Sequence, residues 1–300
     1  MKVVFQIGAA LLGVLMATAS AQAQEDTFKW VNALPDSAHE RLSHGTFRSD
    51  VMNLDVGYVI YLPPGYEAPE NQQRRYPVVY YLHGWRQGRE TRGIYMAEQF
   101  DRWIHSGHVL PRIYVFVHGG KLSHYDYQDS LAETAFIKEL IPHIDKTYRT
   151  TSNRSGRGIE GFSMGGRGTA RDMFKYPELF CSAVPIGGGH QHEKRVSEDN
   201  GQEREGVVFE PTNNSWDLAR QYAARTEAPA LSILVVVGTN DFNYEANLEW
   251  MNHLRSLSIP FEQHIVAEAG HDVVQLYQEL GDKIMQFHER CFASKVGDDS

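Results

Sequence analysis

Short, continuous apolar runs separated by polar stretches of helical period set the pattern of this chain. Val78-Val79-Tyr80-Tyr81-Leu82, Ile113-Tyr114-Val115-Phe116-Val117, Ala183-Val184-Pro185-Ile186 and Ile233-Leu234-Val235-Val236-Val237 have the length and β-branched content of strands buried on both faces. Tyr58-Val59-Ile60-Tyr61-Leu62 is another strand, stopped by the turn residues Pro63-Pro64-Gly65. Between the runs, Ile137, Leu140, Ile141 and Ile144 recur at helical spacing, and Val273, Tyr277, Leu280, Ile284 and Phe287 line one face of a final helix. Pro142 removes a backbone donor from the first of these helices and is expected to kink it. Alternating strands and helices predict an α/β fold: five or more core strands in a mostly parallel sheet, with helices on both faces. Residues 188–214 break the rhythm, being polar, charged and Gly-containing, and read as an insertion over the C-terminal edge of the sheet. No internal repeat is visible.

The N-terminus follows a different logic. Lys2 precedes an apolar stretch from Ile7 to Ala17, followed by small residues up to Ala21-Gln22-Ala23. That is the charged, apolar and cleavable order of a secretory leader over residues 1–23. The apolar part is too short for the ~20 residues that cross a bilayer, and no later segment spans one. Residues 24–44 then form a lead-in, and 45–295 the main domain. Export permits a Cys181–Cys291 disulfide, although both cysteines sit among apolar neighbours where buried thiols fit equally well.

Composition narrows the function. With 42% hydrophobic and 22% charged residues the chain can fill a large core. Its formal charge of −9 and the lack of a dense Lys/Arg stripe argue against a nucleic-acid partner. Removing residues 1–23 takes away one Lys and no acid.

The chemistry starts at Gly161-Phe162-Ser163-Met164-Gly165, a G-x-S-x-G sequence after a short strand run and before a helical stretch. A strand, sharp turn and helix in that order push a serine hydroxyl into open space. Such a hydroxyl is a poor nucleophile until a base, itself oriented by a carboxylate, takes its proton. Asp241 follows Ile233–Val237 through Gly238-Thr239-Asn240, and His271 follows Phe261–Val266 through Ala269-Gly270. Both therefore fall in loops at strand ends, in the order Ser163, Asp241, His271. Asp272, Glu245 and His264 are rivals placed less well. Oxyanion stabilisation needs two backbone N–H groups. Met164 supplies one, and Trp85 of His83-Gly84-Trp85 the other in preference to His118-Gly119-Gly120. The Trp85 indole either walls an acyl pocket or packs in the core, and His118 reads as a cleft-lining loop residue. His190 and His192 beside Glu193 form an H-x-H arrangement without further ligands at metal spacing, so they read as a solvated loop and no metal is expected.

Taken in order, Tyr61-Leu62-Pro63-Pro64-Gly65-Tyr66, Tyr81-Leu82-His83-Gly84, Glu160-Gly161-Phe162-Ser163-Met164-Gly165-Gly166, Gly238-Thr239-Asn240-Asp241 and Gly270-His271-Asp272 resemble the esterase D-like branch of α/β-hydrolases, over about residues 45–290. That branch includes feruloyl and acetylxylan esterases, S-formylglutathione hydrolases, siderophore esterases and mycolyltransferases. The resemblance implies an α/β-hydrolase fold, the triad Ser163, Asp241 and His271, oxyanion donors at Trp85 and Met164, and no cofactor. Together with the leader, it implies an exported serine carboxylesterase acting on feruloyl or acetyl esters of plant polysaccharide. A siderophore-lactone esterase or acyltransferase is the alternative enzyme, and a non-catalytic carbohydrate-binding relative the alternative of another class. Val117-His118-Gly119-Gly120 and the 188–214 segment depart from the family pattern, both near where substrate would be gripped.

Overall fold

Alternate residues of the apolar runs serve opposite faces of one sheet. Val78, Tyr80 and Leu82 join one buried cluster, while Val79 and Tyr81 join a second. The same division separates Ile113, Val115 and Val117 from Tyr114 and Phe116. A strand that buries both faces can have no polar face, so these segments read as unbroken apolar runs. The computed structural model describes residues 28–85 and 87–293, so the leader predicted over 1–23 lies outside the described residues.

The chain opens with β1 (Leu42–Ser49) and β2 (Leu54–Tyr61), followed by β3 (Val78–Leu82), α1 (Ala97–His105) and β4 (Ile113–Val117). A ribbon of β5 (Asp126–Tyr127) and β6 (Ser130–Leu131) leads into α2 (Ala132–Ala135), a π-helical stretch at Phe136–Leu140 and α3 (Ile141–Thr147). Then come β7 (Arg157–Phe162), α4 (Met164–Lys175), β8 (Ser182–Ile186) and α5 (His190–Glu198). A second ribbon, β9 (Gln202–Arg204) with β10 (Val207–Val208), precedes α6 (Ser215–Ala224), β11 (Ser232–Gly238), α7 (Tyr244–Ser256), β12 (Glu262–Val266) and α8 (Val273–Ala293). The main sheet has eight strands in the order β1-β2-β4-β3-β7-β8-β11-β12. Only the β1–β2 and β2–β4 pairs are antiparallel; the six strands from β4 to β12 run parallel.

Helices cover both faces, as the alternation predicts. On one side Ile137, Leu140, Ile141 and Ile144 pack with Met173 and Phe174 of α4 and Trp250, Met251 and Leu254 of α7. On the other, Phe100 and Ile104 of α1 meet Val273, Tyr277, Leu280, Ile284 and Phe287 of α8. The irregularity expected from Pro142 is a π turn immediately before it, which re-registers the backbone bonds. Cys181 and Cys291 are disulfide-bonded, with their Cα atoms 6.2 Å apart, tying α8 to the start of β8.

The 188–214 segment differs from its expected character. It forms α5 and the second ribbon, and His190, Glu193 and Glu203 within it are fully buried. A polar composition does not separate a solvated loop from a segment that turns some of its charges inward, and here Glu193 and Glu203 are turned inward onto Arg167 while Glu198, Asp199 and Glu205 stay at the surface.

Candidate active site

Parallel strands bring the loops at their C-terminal ends to one edge of the sheet. Ser163 follows β7, Asp241 lies in the turn after β11, and His271 stands between β12 and α8. Residues far apart in sequence thus meet because β7, β8, β11 and β12 are neighbours in one sheet.

Ser163 adopts φ 57° and ψ −112°, a strained backbone for a non-glycine residue, and α4 starts with the next residue. Its N–H donates to the Ile186 carbonyl at 2.8 Å, which holds the turn against β8. The glycine at 165 is required by space: a Cβ there would sit 1.8 Å from the Leu82 carbonyl oxygen. The close approach of α4 to β3 is what lets the strand turn so sharply into the helix.

His271 Nε2 lies 2.9 Å from Ser163 Oγ, and His271 Nδ1 lies 2.8 Å from Asp241 Oδ2. An ionised carboxylate only accepts, so Nδ1 carries a proton and Nε2 is free to accept one from the serine. The second Asp241 oxygen, Oδ1, accepts the Asn243 backbone N–H at 2.7 Å. The Asn243 side chain donates to the Gly187 carbonyl at 2.9 Å, bracing the acid loop against the chain after β8. Thr239 N–H to Val266 O and Asn240 N–H to Ala269 O, both 2.9 Å, lace the loops carrying Asp241 and His271 together. The rivals are occupied elsewhere or remote: Asp272 Oδ1 accepts the N–H groups of Val274 and Gln275 at the start of α8, and Glu245 and His264 belong to α7 and β12.

Two phenylalanines flank the imidazole, with ring centroids 4.5 Å away for Phe162 and 4.1 Å for Phe242. Phe242 is 76% exposed and Trp85 71% exposed. Trp85 is therefore no core residue; it stands at the surface with the Arg92 guanidinium 5.4 Å from its ring. Gly84 abuts the serine, since a Cβ on it would meet Ser163 Cβ at 3.4 Å. His118, expected to line the cleft, is instead buried against Trp30 and donates to the Lys29 carbonyl at 2.8 Å. Sequence reasoning had no handle on Asn243 or Phe242, whose only signal is their nearness to Asp241.

Beneath the serine turn, α4 carries a buried ionic cluster. Arg167 donates to Glu193 at 2.5 Å and Glu203 at 2.9 Å, and all three side chains are inaccessible to solvent. Arg171 lies 3.5 Å from Glu133 and 3.6 Å from Asp172. His192 Nδ1 approaches Glu203 at 3.2 Å, and His190 stacks on Trp250 with centroids 4.1 Å apart. The predicted solvated H-x-H loop is therefore corrected: the segment is helical, Glu193 is paired inside the buried cluster, the His190 ring is buried against Trp250, and His192 is half-buried beside Glu203. Among the described residues, no group of three or more His, Cys, Asp or Glu side chains could hold a metal ion.

Asp172 stands out in the cluster. Burial, opposed by Arg171 and reinforced by Glu133, pushes its carboxyl up to about 8. An unfolded aspartate titrates at about 3.9, so from about pH 4 to 8 the folded state holds a proton that the unfolded state lacks. The stabilisation is complete below that window and is lost as pH rises through the folded value. Asp172→Asn, neutral at every pH, is expected to flatten this decline. Thermal melts at pH 5 and pH 8 should show the wild type losing more Tm between the two than the variant; parallel losses would mean that the carboxyl is already ionised at pH 5.

The family model Esterase, described as "Putative esterase", matches residues 49–275. An endo-1,4-beta-xylanase/feruloyl esterase of Xylanibacter ruminicola is 31% identical over 168 residues, 51% of this chain and 22% of that protein. An esterase of Mycobacterium tuberculosis is 31% identical over 153 residues, 48% of this chain and 31% of that protein. The matches thus span less than a third of either relative's length. Among solved structures, a ferulic acid esterase superposes with a TM-score of 0.69 at 24% identity, over 84% of this chain and 98% of that one. An S-formylglutathione hydrolase of Staphylococcus aureus gives 0.64 at 17% identity, over 82% and 98%. These likenesses show that the fold is that of the α/β-hydrolase esterases.

Proposed function

The chain belongs to the Esterase family, and from that premise we propose that it is an exported serine carboxylesterase with Ser163, His271 and Asp241 as its catalytic residues. The observation that carries the chemistry is the hydrogen-bonded line from Asp241 through His271 to Ser163 Oγ, at 2.8 and 2.9 Å. Ser163 Oγ attacks the ester carbonyl carbon while its proton passes to His271 Nε2. The new imidazolium faces the Asp241 carboxylate, which offsets its charge and holds the ring in position. As the tetrahedral intermediate collapses, the C–O bond to the alcohol breaks and His271 returns the proton to that oxygen. Water repeats the sequence on the acyl-enzyme, releasing the acid and restoring the serine.

The negative oxygen of each intermediate is held by the N–H groups of Met164 and Trp85. Met164 is the first residue of α4, where backbone N–H groups have no acceptor within the helix and the helix dipole is positive. Trp85 lies in the loop leaving β3, beside the serine turn.

For the substrate, we propose feruloyl or acetyl esters of plant polysaccharide. Support comes from the feruloyl esterase names among the relatives, and from Phe242, an exposed aromatic ring packed on His271. Export is supported by the leader pattern at residues 1–23 and by the Cys181–Cys291 disulfide, a bond that persists in oxidising compartments.

A panel of methyl ferulate, acetylated xylan, S-formylglutathione and a catecholate lactone tests the substrate. The highest kcat/KM is expected on one of the first two; preference for the thioester or the lactone would overturn the polysaccharide reading. A fluorophosphonate probe tests the chemistry separately, with one adduct per chain expected at Ser163.

A further inference from the structure

The loop that carries Trp85 is held in an unusual way. His83 is 2% exposed and uses both ring nitrogens on backbone groups. Nδ1 lies 2.5 Å from the Gly84 carbonyl oxygen, an acceptor, so Nδ1 bears the proton. Nε2 accepts the N–H of Gly119 at 3.1 Å and that of Arg89 at 3.3 Å. Both sets of partners demand the same neutral tautomer. The His83 carbonyl in turn accepts from His124 Nε2 at 3.0 Å, so the start of the loop is gripped at side chain and main chain alike. Burial and the neighbouring His124 hold the His83 imidazole well below the usual histidine range, which keeps Nε2 available as an acceptor.

The Gly84 carbonyl and the Trp85 N–H belong to one peptide unit. That unit is planar and trans, so the two groups point in opposite directions. Whatever fixes the carbonyl on one side fixes the direction of the N–H on the other. Trp85 itself has φ 77°, a conformation a non-glycine residue leaves unless its surroundings hold it. An imidazole that clamps the preceding carbonyl is such a restraint, and it costs no reorganisation when charge develops on the substrate.

We propose that His83 is a positioning residue of the esterase, whose Nδ1–H clamps the Gly84 carbonyl and thereby aims the Trp85 N–H at the developing oxyanion. This rests on the reading of Ser163 as nucleophile and of Trp85 as oxyanion donor. The clamp acts on the transition state and not on the bound ester, so its loss should fall on kcat and spare KM.

Two substitutions separate the ring's two contacts. In His83→Asn the amide nitrogen takes the place of Nδ1 and can still donate to Gly84, while the acceptor for Gly119 and Arg89 is lost. In His83→Gln the amide reaches the Nε2 position, keeping that acceptor and losing the clamp. On a p-nitrophenyl ester, His83→Gln is expected to lower kcat about a hundredfold with KM within about threefold of wild type. Its affinity for a trifluoromethyl ketone, which forms the oxyanion adduct with Ser163, should fall in parallel. His83→Asn should retain most of the kcat, with any drop in Tm at least as large as that of the Gln variant. Wild-type kcat in a folded His83→Gln would overturn the proposal. So would equal losses of kcat in both variants that track their losses of Tm, because His83 would then be holding the fold and not the amide. Failure of the underlying reading registers elsewhere, as absence of a fluorophosphonate adduct on Ser163 in the wild-type enzyme.

Discussion

Replacing Ser163 by Ala is expected to lower kcat on a p-nitrophenyl ester by about 10⁵- to 10⁶-fold, the scale on which a triad works as a unit. The fold should survive, because among the described residues the hydroxyl's hydrogen-bond partner is His271 Nε2, at a half-buried site. A neutral hydrogen bond of that kind contributes only about 1 kcal/mol to stability. The turn itself is set by backbone contacts that alanine keeps, the Ser163 N–H to Ile186 and the packing of Gly165 on Leu82. Some catalysis over water should remain, about 10³-fold, from the Met164 and Trp85 amides. His271→Ala should cost nearly as much, and the double variant little more than either single one. Measuring kcat in all three decides the matter. If the two losses multiplied, serine and histidine would be acting independently, and the hydrogen-bonded line between them would have no mechanistic meaning.

The parts of this site that could be read from the sequence are those where one residue type has few reasons to occur. Gly165 is such a case, since a side chain there would collide with the Leu82 carbonyl. The strand runs are another, because burial on both faces leaves no polar position to blur them. His271 and Asp241 were legible through their places at strand ends, which matter because the sheet is parallel. What escaped was long-range pairing of charge. Glu193 and Glu203 look like surface residues until Arg167, on another helix, neutralises them at 2.5 and 2.9 Å. No local pattern encodes such a pair: each partner is polar in its own segment, and only the fold brings them together. The same blindness put His118 in the cleft, although its ring is committed to the Lys29 carbonyl and the Trp30 face. For Trp85 the sequence left a pocket wall and a core position both open, and its exposure removes the second.

Asp241→Asn should lower kcat by about 10⁴-fold while leaving size and fold unchanged, a loss larger than deletion of a single hydrogen bond explains. The reason lies in the number of acceptors. Asp241 offers two oxygens to two donors, the His271 Nδ1–H at 2.8 Å and the Asn243 backbone N–H at 2.7 Å. Asparagine has one oxygen and one NH2 group. The backbone N–H cannot give up its proton or turn away, so the oxygen is retained there and the NH2 group faces the imidazole. His271 then accommodates by moving its own proton from Nδ1 to Nε2. In that tautomer Nε2 donates toward Ser163 Oγ and can no longer take the serine's proton, so the base is lost although every heavy atom stays in place. Fluorophosphonate labelling should slow by a similar factor, since it also requires the deprotonated serine. Asp272→Asn is the control: that carboxylate caps α8 through Val274 and Gln275, and its loss should cost some stability and little kcat. Activity within tenfold of wild type in Asp241→Asn, or a large loss in Asp272→Asn, would move the orienting role away from residue 241.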